Sequence, residues 1–362
     1  MDCIGIPLSP VFTKTQTCIQ MDYPDVCLFF RKSRPGGNFS IEASFQQMLA
    51  VFKAEAGYQL RVVEVPNFSN GLIPRIQMSL YARRNRGRLN HITGDIHFIA
   101  LGLPGRSSLL TIHDCGFLVG KSWPARMLLW LFWLALPVAR CRYITTVSEA
   151  TKRDVMLYTG CKAEKIQVIP TIIKSHFQRV VKAFFPVDKP RILHIGTAHN
   201  KNLRRHIAAL AGIPCTLNVI GHLQPEELAL LHAQQIDFIH QFDLNDAEVQ
   251  QAYEACDLLL FASTLEGFGM PILEAQTVGR PVITSNCSSM PEVAADSACL
   301  VDPFRVESIR AGVLRVIQDA AYREGLVAKG FDNIKRFQPE TVARQYAALY
   351  ERLLGESEEG VR

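Results

Sequence analysis

Short apolar runs rich in β-branched residues alternate along this chain with longer stretches whose apolar side chains recur at helical spacing. That rhythm predicts an α/β protein built on parallel sheets. In the first half, Val26–Phe30, Leu60–Val65, Asp95–Ile99, Ser108–Ile112, Tyr143–Val147 and Ile166–Ile169 read as strands. Phe39–Ala56, Pro124–Val138 and Glu149–Tyr158 read as helices, the last with Ser148 placed to cap its first turn. The rhythm breaks between Pro170 and Pro190, where Pro170, Pro186 and Pro190 accompany no clear period, and this stretch is predicted as a linker. A second series follows, with strands at Arg191–Ile195, Thr216–Ile220, Asp237–Ile239, Asp257–Phe261, Pro281–Thr284 and Ala298–Val301. Helices are predicted near Lys201–Ala211, Pro225–Ala233, Asp246–Ala255, Pro271–Val278, Glu292–Ala295, Val306–Gln318 and Pro339–Leu354. The division that results is a first domain at 1–180 and a second at 181–338. A closing helix and tail at 339–362 are able to cross back to the first domain.

Two successive α/β units place the default ligand site at the carboxyl ends of their strands, where two such domains face each other across a cleft. Charge adds an asymmetry. Residues 1–179 hold 22 basic against 11 acidic side chains, and the remainder 17 against 23. The first half is therefore suited to an anionic neighbour. Four arginines lie within Arg83–Arg88, and the most apolar segment, Met127–Val138, is flanked by Lys121, Arg126, Arg140 and Arg142. That segment is too short to span a bilayer, which takes about 20 residues. It reads either as a buried helix or as a patch resting on anionic lipid. No nucleic-acid motif accompanies the basic residues, so nucleic acid is not expected as a partner. The ten cysteines are scattered without CxxC pairs or zinc spacing, which fits a reducing cytoplasm and no metal centre.

The most informative string runs Glu266-Gly-Phe-Gly-Met-Pro-Ile-Leu-Glu274, just after the predicted strand Asp257–Phe261. Gly267 and Gly269 let backbone approach a ligand, and Pro271 suits the first turn of a helix. A helix start offers N–H groups and partial positive charge to an anion such as a diphosphate. On that geometry Glu274 reaches back toward a ribose and Glu266 lies nearer a sugar.

These residues resemble the signature of family 4 retaining glycosyltransferases, two glutamates separated by seven residues. Other stretches are similar to the same family: Ala255–Ser263, Gly279–Ser285, Ser288–Glu292, His194–Asn202, Gly36–Asn38, Thr111–Asp114 and Thr146–Glu149. The resemblance implies the GT-B fold, two Rossmann-like domains facing across a cleft. It implies a retaining, metal-independent hexosyltransferase without cofactor. The donor would be a UDP- or GDP-sugar, and the acceptor a glycan or lipid-linked molecule of surface-polysaccharide synthesis. The enzyme would be cytoplasmic, peripheral at the inner face of a membrane.

Carried onto this sequence, the family roles assign Glu266 to the transferred sugar, Glu274 to the ribose and Lys201 to the leaving diphosphate. His113 would touch the donor sugar. Backbone at Gly267, Phe268, Gly269, Met270 and Ile272, with Gly196 and Thr197, would line the donor site, and Gly36 and Gly37 would approach the diphosphate or the acceptor. Thr197 stands where many relatives carry arginine, leaving Arg204 or Arg205 as substitutes. The competing readings are a sugar-nucleotide epimerase on the same fold and a binding protein whose transferase site has decayed.

Overall fold

The computed structural model describes residues 25–32, 40–55 and 58–359. Its first sheet is formed by β1 (Val26–Phe30), β2 (Leu60–Glu64), β3 (Leu89–Ile92), β4 (Ser108–Ile112), β5 (Tyr143–Thr146) and β6 (Ile166–Val168). They lie in the order β2-β1-β3-β4-β5-β6, every pairing parallel. The second sheet comprises β7 (Arg191–Ile195), β8 (Thr216–Ile220), β9 (Asp237–Gln241), β10 (Leu258–Phe261), β11 (Val282–Ser285) and β12 (Cys299–Val301). Its order is β12-β11-β10-β7-β8-β9, again parallel throughout. Because β7 is flanked by β8 on one side and β10 on the other, the loops leaving β7 and β10 diverge. That divergence opens the crevice where doubly wound sheets bind ligands.

Alternation along the strands feeds a core on each face of each sheet. In β1, Val26, Leu28 and Phe30 join one cluster while Cys27 and Phe29 join another. In β10, Leu258 and Leu260 face one way, Leu259 and Phe261 the other. Both faces are covered, which is why these strands read as unbroken apolar runs.

Sequence and structure differ in the first domain. The strand expected at Asp95–Ile99 is a 3₁₀ turn spanning His97–Gly102, and the sheet instead uses Leu89–Ile92. Asn90 and His91 interrupt that strand's apolar pattern, yet both are buried and satisfied. Asn90 Nδ2 donates to Ser107 O at 3.2 Å, and His91 lies between Tyr350 OH at 2.6 Å and Thr111 Oγ1 at 2.7 Å. The helix Leu72–Arg84 went unpredicted because several of its apolar residues face outward. The stretch Trp123–Arg140 is helical throughout, with a wider π segment at Trp130–Ala135. Ser148 caps Glu149–Thr159 by accepting from Thr151 N, as the sequence predicts.

The linker is irregular but packed: Ile172, Ile173 and Phe177 are buried. After the second sheet the chain returns. The helix Pro339–Glu359 presents Val342, Tyr346, Leu349, Tyr350 and Leu353 as a helical stripe. That stripe packs on Val26, Leu28, Phe45, Met48 and Phe52 of the first domain.

Candidate active site at the domain interface

Three loops converge where the carboxyl ends of the two sheets meet. The first leaves β7. Gly196 takes φ +86°, and its N–H donates to Ile220 O at 2.7 Å. A Cβ there would press on the Lys201 stem at 3.0 Å, so glycine lets the lysine fold back over the strand end. Lys201 Nζ pairs with Glu266 Oε1 at 2.7 Å and lies 4.8 Å from the centre of the Phe261 ring. The two side chains are 21% and 14% exposed, so the pair is only partly screened by water.

The second loop leaves β10 and carries Glu266–Gly269. It is laced to the first loop on one side: Thr264 N donates to Asn200 O at 2.8 Å, and Asn200 Nδ2 to Leu265 O at 2.8 Å. Buried Asn202 adds Nδ2 bonds to Ala262 O and Pro303 O at 3.0 and 2.7 Å. On its other side two serines of the turn after β11 hold it. Ser288 Oγ donates to Glu266 O at 2.7 Å, and Ser289 Oγ to Phe268 O at 2.7 Å. Gly269, at φ +111°, then starts the helix Met270–Val278 with Pro271 in its first turn. The helix dipole places about half a positive charge here.

Inside that helix Glu274 is buried, and its Oε2 accepts from Tyr253 OH at 2.8 Å. Burial raises the Glu274 carboxyl above its ordinary value, and the Tyr253 hydroxyl and the positive charge of Lys174 oppose the rise. The Tyr253 phenol is itself pushed well up by burial and by the Glu274 charge.

The third loop belongs to the first domain. His113 follows β4, and its Nε2 meets Thr93 O at 2.8 Å, which fixes the proton on Nε2 and leaves Nδ1 as the acceptor. Burial lowers its pKa, while the Thr93 carbonyl and Asp114 work in the opposite sense. The domains touch directly: Ser148 Oγ donates to Gly267 O at 2.7 Å, and Thr151 Oγ1 to the same oxygen at 3.2 Å. Glu292 of the second domain accepts from Glu149 N at 2.9 and 2.8 Å, a carboxylate on a helix start of the first.

Glu266, Lys201, Gly196 and the Gly267–Met270 backbone therefore gather at one crevice, with His113 held across it by the Gly267 contact. The other residues named from the sequence have partners or surroundings of their own. The Ile272 N–H is engaged by Gly269 O at 3.0 Å, so the turn itself uses that donor. Phe268 and Ile272 side chains are buried in the core, the Phe268 ring edge-on to Phe337 at 5.6 Å. Thr197 Oγ1 donates to His222 O at 2.7 Å and ties the β7 loop to the β8 loop. Arg205 Nη1 bonds Asn202 Oδ1 at 2.9 Å, and Arg204 is exposed. Gly36 and Gly37 lie outside the described residues. Among the described residues no group of three or more His, Cys, Asp or Glu side chains is arranged to hold a metal ion.

Comparison with known families agrees with this architecture domain by domain. The family model for glycosyltransferase family 4 matches residues 49–177, and that for glycosyl transferases group 1 matches 178–332. The chain belongs to the group 1 glycosyltransferases.

Within that family, the O-antigen chain mannosyltransferase B of Escherichia coli is 38% identical over 108 residues, 30% of this chain and 28% of that protein. The O-antigen chain mannosyltransferase RfbU of Salmonella typhimurium is 26% identical over 248 residues, 64% of this chain and 68% of that one. This group 1 glycosyltransferase spans less than a third of the length of the E. coli relatives it matches. Among solved structures, sucrose-phosphate synthase from Thermosynechococcus elongatus superposes with a TM-score of 0.71 at 16% identity, over 91% of this chain and 99% of that one. The shared fold is GT-B.

Sequence reasoning left aside Tyr253, Lys174 and the two tethering asparagines. Lys174 lies in the linker, its side chain 13% exposed and 3.1 Å from Asp246 Oδ1. Its position in a segment without periodicity hid it. Asn200 and Asn202 sit inside a recognised segment, but only the fold reveals that they bind the β10 loop.

Proposed function

We propose that the protein is a retaining hexosyltransferase that moves a sugar from a UDP- or GDP-sugar onto a glycan or lipid-linked acceptor. Mannose is the first candidate sugar, and surface-polysaccharide synthesis the setting, in line with the relatives' names. The observation that carries this reading is the Lys201–Glu266 pair seated at the switch point beside the helix start at Gly269.

In this reading the diphosphate lies against the Gly269 and Met270 backbone, where the helix dipole and Lys201 meet the charge that develops as the glycosidic bond breaks. Lys201 then exchanges part of its contact with Glu266 for the phosphate. Glu266, freed from full neutralisation, accepts hydroxyls of the transferred sugar. Glu274 accepts from the ribose while Tyr253 holds its other side. His113 offers Nδ1 to the donor sugar from the opposite wall. Retention follows from attack on the face the diphosphate leaves, the departing phosphate helping to take the acceptor proton. The charge is met by Lys201 and backbone, so no metal or other cofactor is required, and EDTA leaves turnover unchanged. The enzyme works at the cytoplasmic face of a membrane.

The test is product analysis with labelled UDP- and GDP-sugars. Transfer to water or to an added acceptor with retained configuration supports the proposal. Conversion of the donor to its epimer, or neither reaction across the panel, overturns it.

A further inference from the structure

Beneath the loop that leaves β7, two buried histidines meet through their rings. His194 belongs to β7 and His206 to the helix Leu203–Leu210, and their Nδ1 atoms lie 3.0 Å apart. On the far sides, His194 Nε2 meets Gly196 O at 2.7 Å and His206 Nε2 meets Ala262 O at 3.3 Å. Each of these three contacts needs a hydrogen between its two heavy atoms. Two neutral imidazoles bring two, so one contact sets lone pair against lone pair. The longest, from His206 Nε2 to Ala262 O, is the one left without, and Asn202 Nδ2 donates to that oxygen instead at 3.0 Å. A third proton would complete all three contacts and charge the pair. In the free protein burial opposes that charge on both rings. Burial and the Lys201 ammonium hold His194 down to about 4, against the pull of the Gly196 and Leu260 carbonyls.

We propose that binding of a nucleotide sugar draws one proton from solvent onto the His194–His206 pair, and that the imidazolium so formed is a second positive charge behind the diphosphate. The inference rests on the transferase reading and deepens it. Charge balance calls for such a group. The diphosphate of a nucleotide sugar brings two negative charges, and Lys201, placed to meet them, is already shared with Glu266 at 2.7 Å. Thr197 is neutral and bonded to His222 O at 2.7 Å, while Arg205 Nη1 turns to Asn202 Oδ1 at 2.9 Å. His194 Nε2 holds the Gly196 carbonyl, and a Cβ on Gly196 would meet the Lys201 stem at 3.0 Å, so the pair and Lys201 flank the same glycine. The charged groups around the pair are Lys201 with Glu266 beyond it, Arg204 and Arg205 on the same helix, and Glu227 of the helix Pro225–Ala233. Arg310 bonds Ala209 O and Ala211 O at the far end of the His206 helix, and Asp302 lies in the loop that Asn202 holds through Pro303 O. Cations outnumber carboxylates there, so the pair stays neutral until the ligand's charge arrives. Two phosphate charges about 7 Å away, at an effective dielectric of about 20, favour the protonated pair by roughly 3000-fold. That carries a ring held to about 4 in the free protein into the neutral range.

The experiment is calorimetric titration of the full chain with UDP-glucose and with GDP-mannose, whose diphosphates do not titrate near neutrality, in buffers of differing ionisation enthalpy. The parent takes up about one proton per nucleotide sugar bound at pH 6.5, and its dissociation constant falls roughly 20-fold from pH 8 to pH 6. Nitrogen-15 NMR of the parent's imidazoles shows the doubly protonated form on saturation, a readout that needs no variant. His206→Leu binds without proton uptake, about tenfold more weakly at pH 6.5, and its affinity no longer varies between pH 6 and pH 8. His206→Gln can donate to Ala262 O yet stays neutral, so it too binds without proton uptake, which separates charge from hydrogen bonding. Binding without proton exchange in the parent, or imidazoles that stay neutral in the complex, overturns the inference. So does uptake that persists in both variants, which would assign the proton to another group such as Glu274 or His113. Each of these outcomes leaves the transferase reading standing. A parent that binds neither nucleotide sugar removes that reading and this inference together.

Discussion

Replacing Gly267 by alanine isolates the contribution of domain contact to turnover. The added Cβ would fall inside the van der Waals envelope of the His113 carbonyl oxygen, 2.8 Å from Asp114 Cβ and 3.0 Å from the His113 carbonyl carbon. The obstacle is mostly backbone, which cannot swing aside as a flexible side chain does. Restoring ordinary contact distances of about 3.5 Å requires the loop and the first domain to part by roughly 1 Å. The same movement stretches the Ser148 and Thr151 hydrogen bonds to Gly267 O from 2.7 and 3.2 Å. A displacement of about 1 Å between reacting groups costs on the order of 100-fold in rate. The proposed nucleotide contacts come from the second domain, so nucleotide affinity stays near the parent value while kcat falls by about that factor. Calorimetric titration with the preferred nucleotide and steady-state transfer assays give the two numbers separately. Parent-like kcat in a folded Gly267→Ala protein would refute the idea that closure at this contact assembles the site. A loss of nucleotide binding as large as the loss of kcat would refute the assignment of the nucleotide to the second domain.

Other outcomes follow from the same geometry. Lys201→Ala lowers kcat by roughly 100- to 1000-fold through loss of charge stabilisation. It also destabilises the fold by about 1–3 kcal/mol by stranding Glu266; the double variant Lys201→Met/Glu266→Gln recovers stability in urea titrations but not turnover, and recovery of both would sink the proposed role. Glu274→Gln weakens nucleotide binding by about 10- to 100-fold, the loss of a charged hydrogen bond. It leaves the melting temperature of the free protein unlowered, because a neutral amide replaces a buried charge; unaltered affinity by calorimetry contradicts the ribose assignment. Burial holds His91 down to about 3 and His194 to about 4. Below the unfolded-state value of about 6.5 the unfolded chain therefore binds protons that the native chain does not. Stability is full above that pH and declines as pH falls from it toward the folded values, and His91→Gln makes the decline of the urea midpoint shallower. An equally steep decline in that variant would show that other groups govern the acid limb.

The central strands of the second domain were legible because they are short, mostly apolar and bracketed by turns, and because both faces of the sheet are covered. β7, β8 and β10 fall within a residue or two of where the pattern placed them. The first domain was harder to read. β3 contains Asn90 and His91, whose burial makes sense only once Tyr350, far along the sequence, supplies a partner. The helix Leu72–Arg84 shows no single apolar face, because it has one turned inward and another outward. At the site, Glu266, Gly267 and Gly269 could be named from a local string, since backbone bending and helix starts leave local marks, and Lys201 through the resemblance of His194–Asn202 to a family segment. Tyr253 and Lys174 could not, for they approach Glu274 from another helix and from the linker.

The return of Pro339–Glu359 to the first sheet bears on how the molecule is made. Phe45, Met48 and Phe52 acquire their partners Tyr346, Tyr350 and Leu353 only when the helix Pro339–Glu359 has been synthesised. During translation the amino-terminal half therefore waits with an unfinished hydrophobic wall while the carboxyl-terminal sheet completes itself. Cutting the gene between the two sheets would leave the first piece without its closing helix.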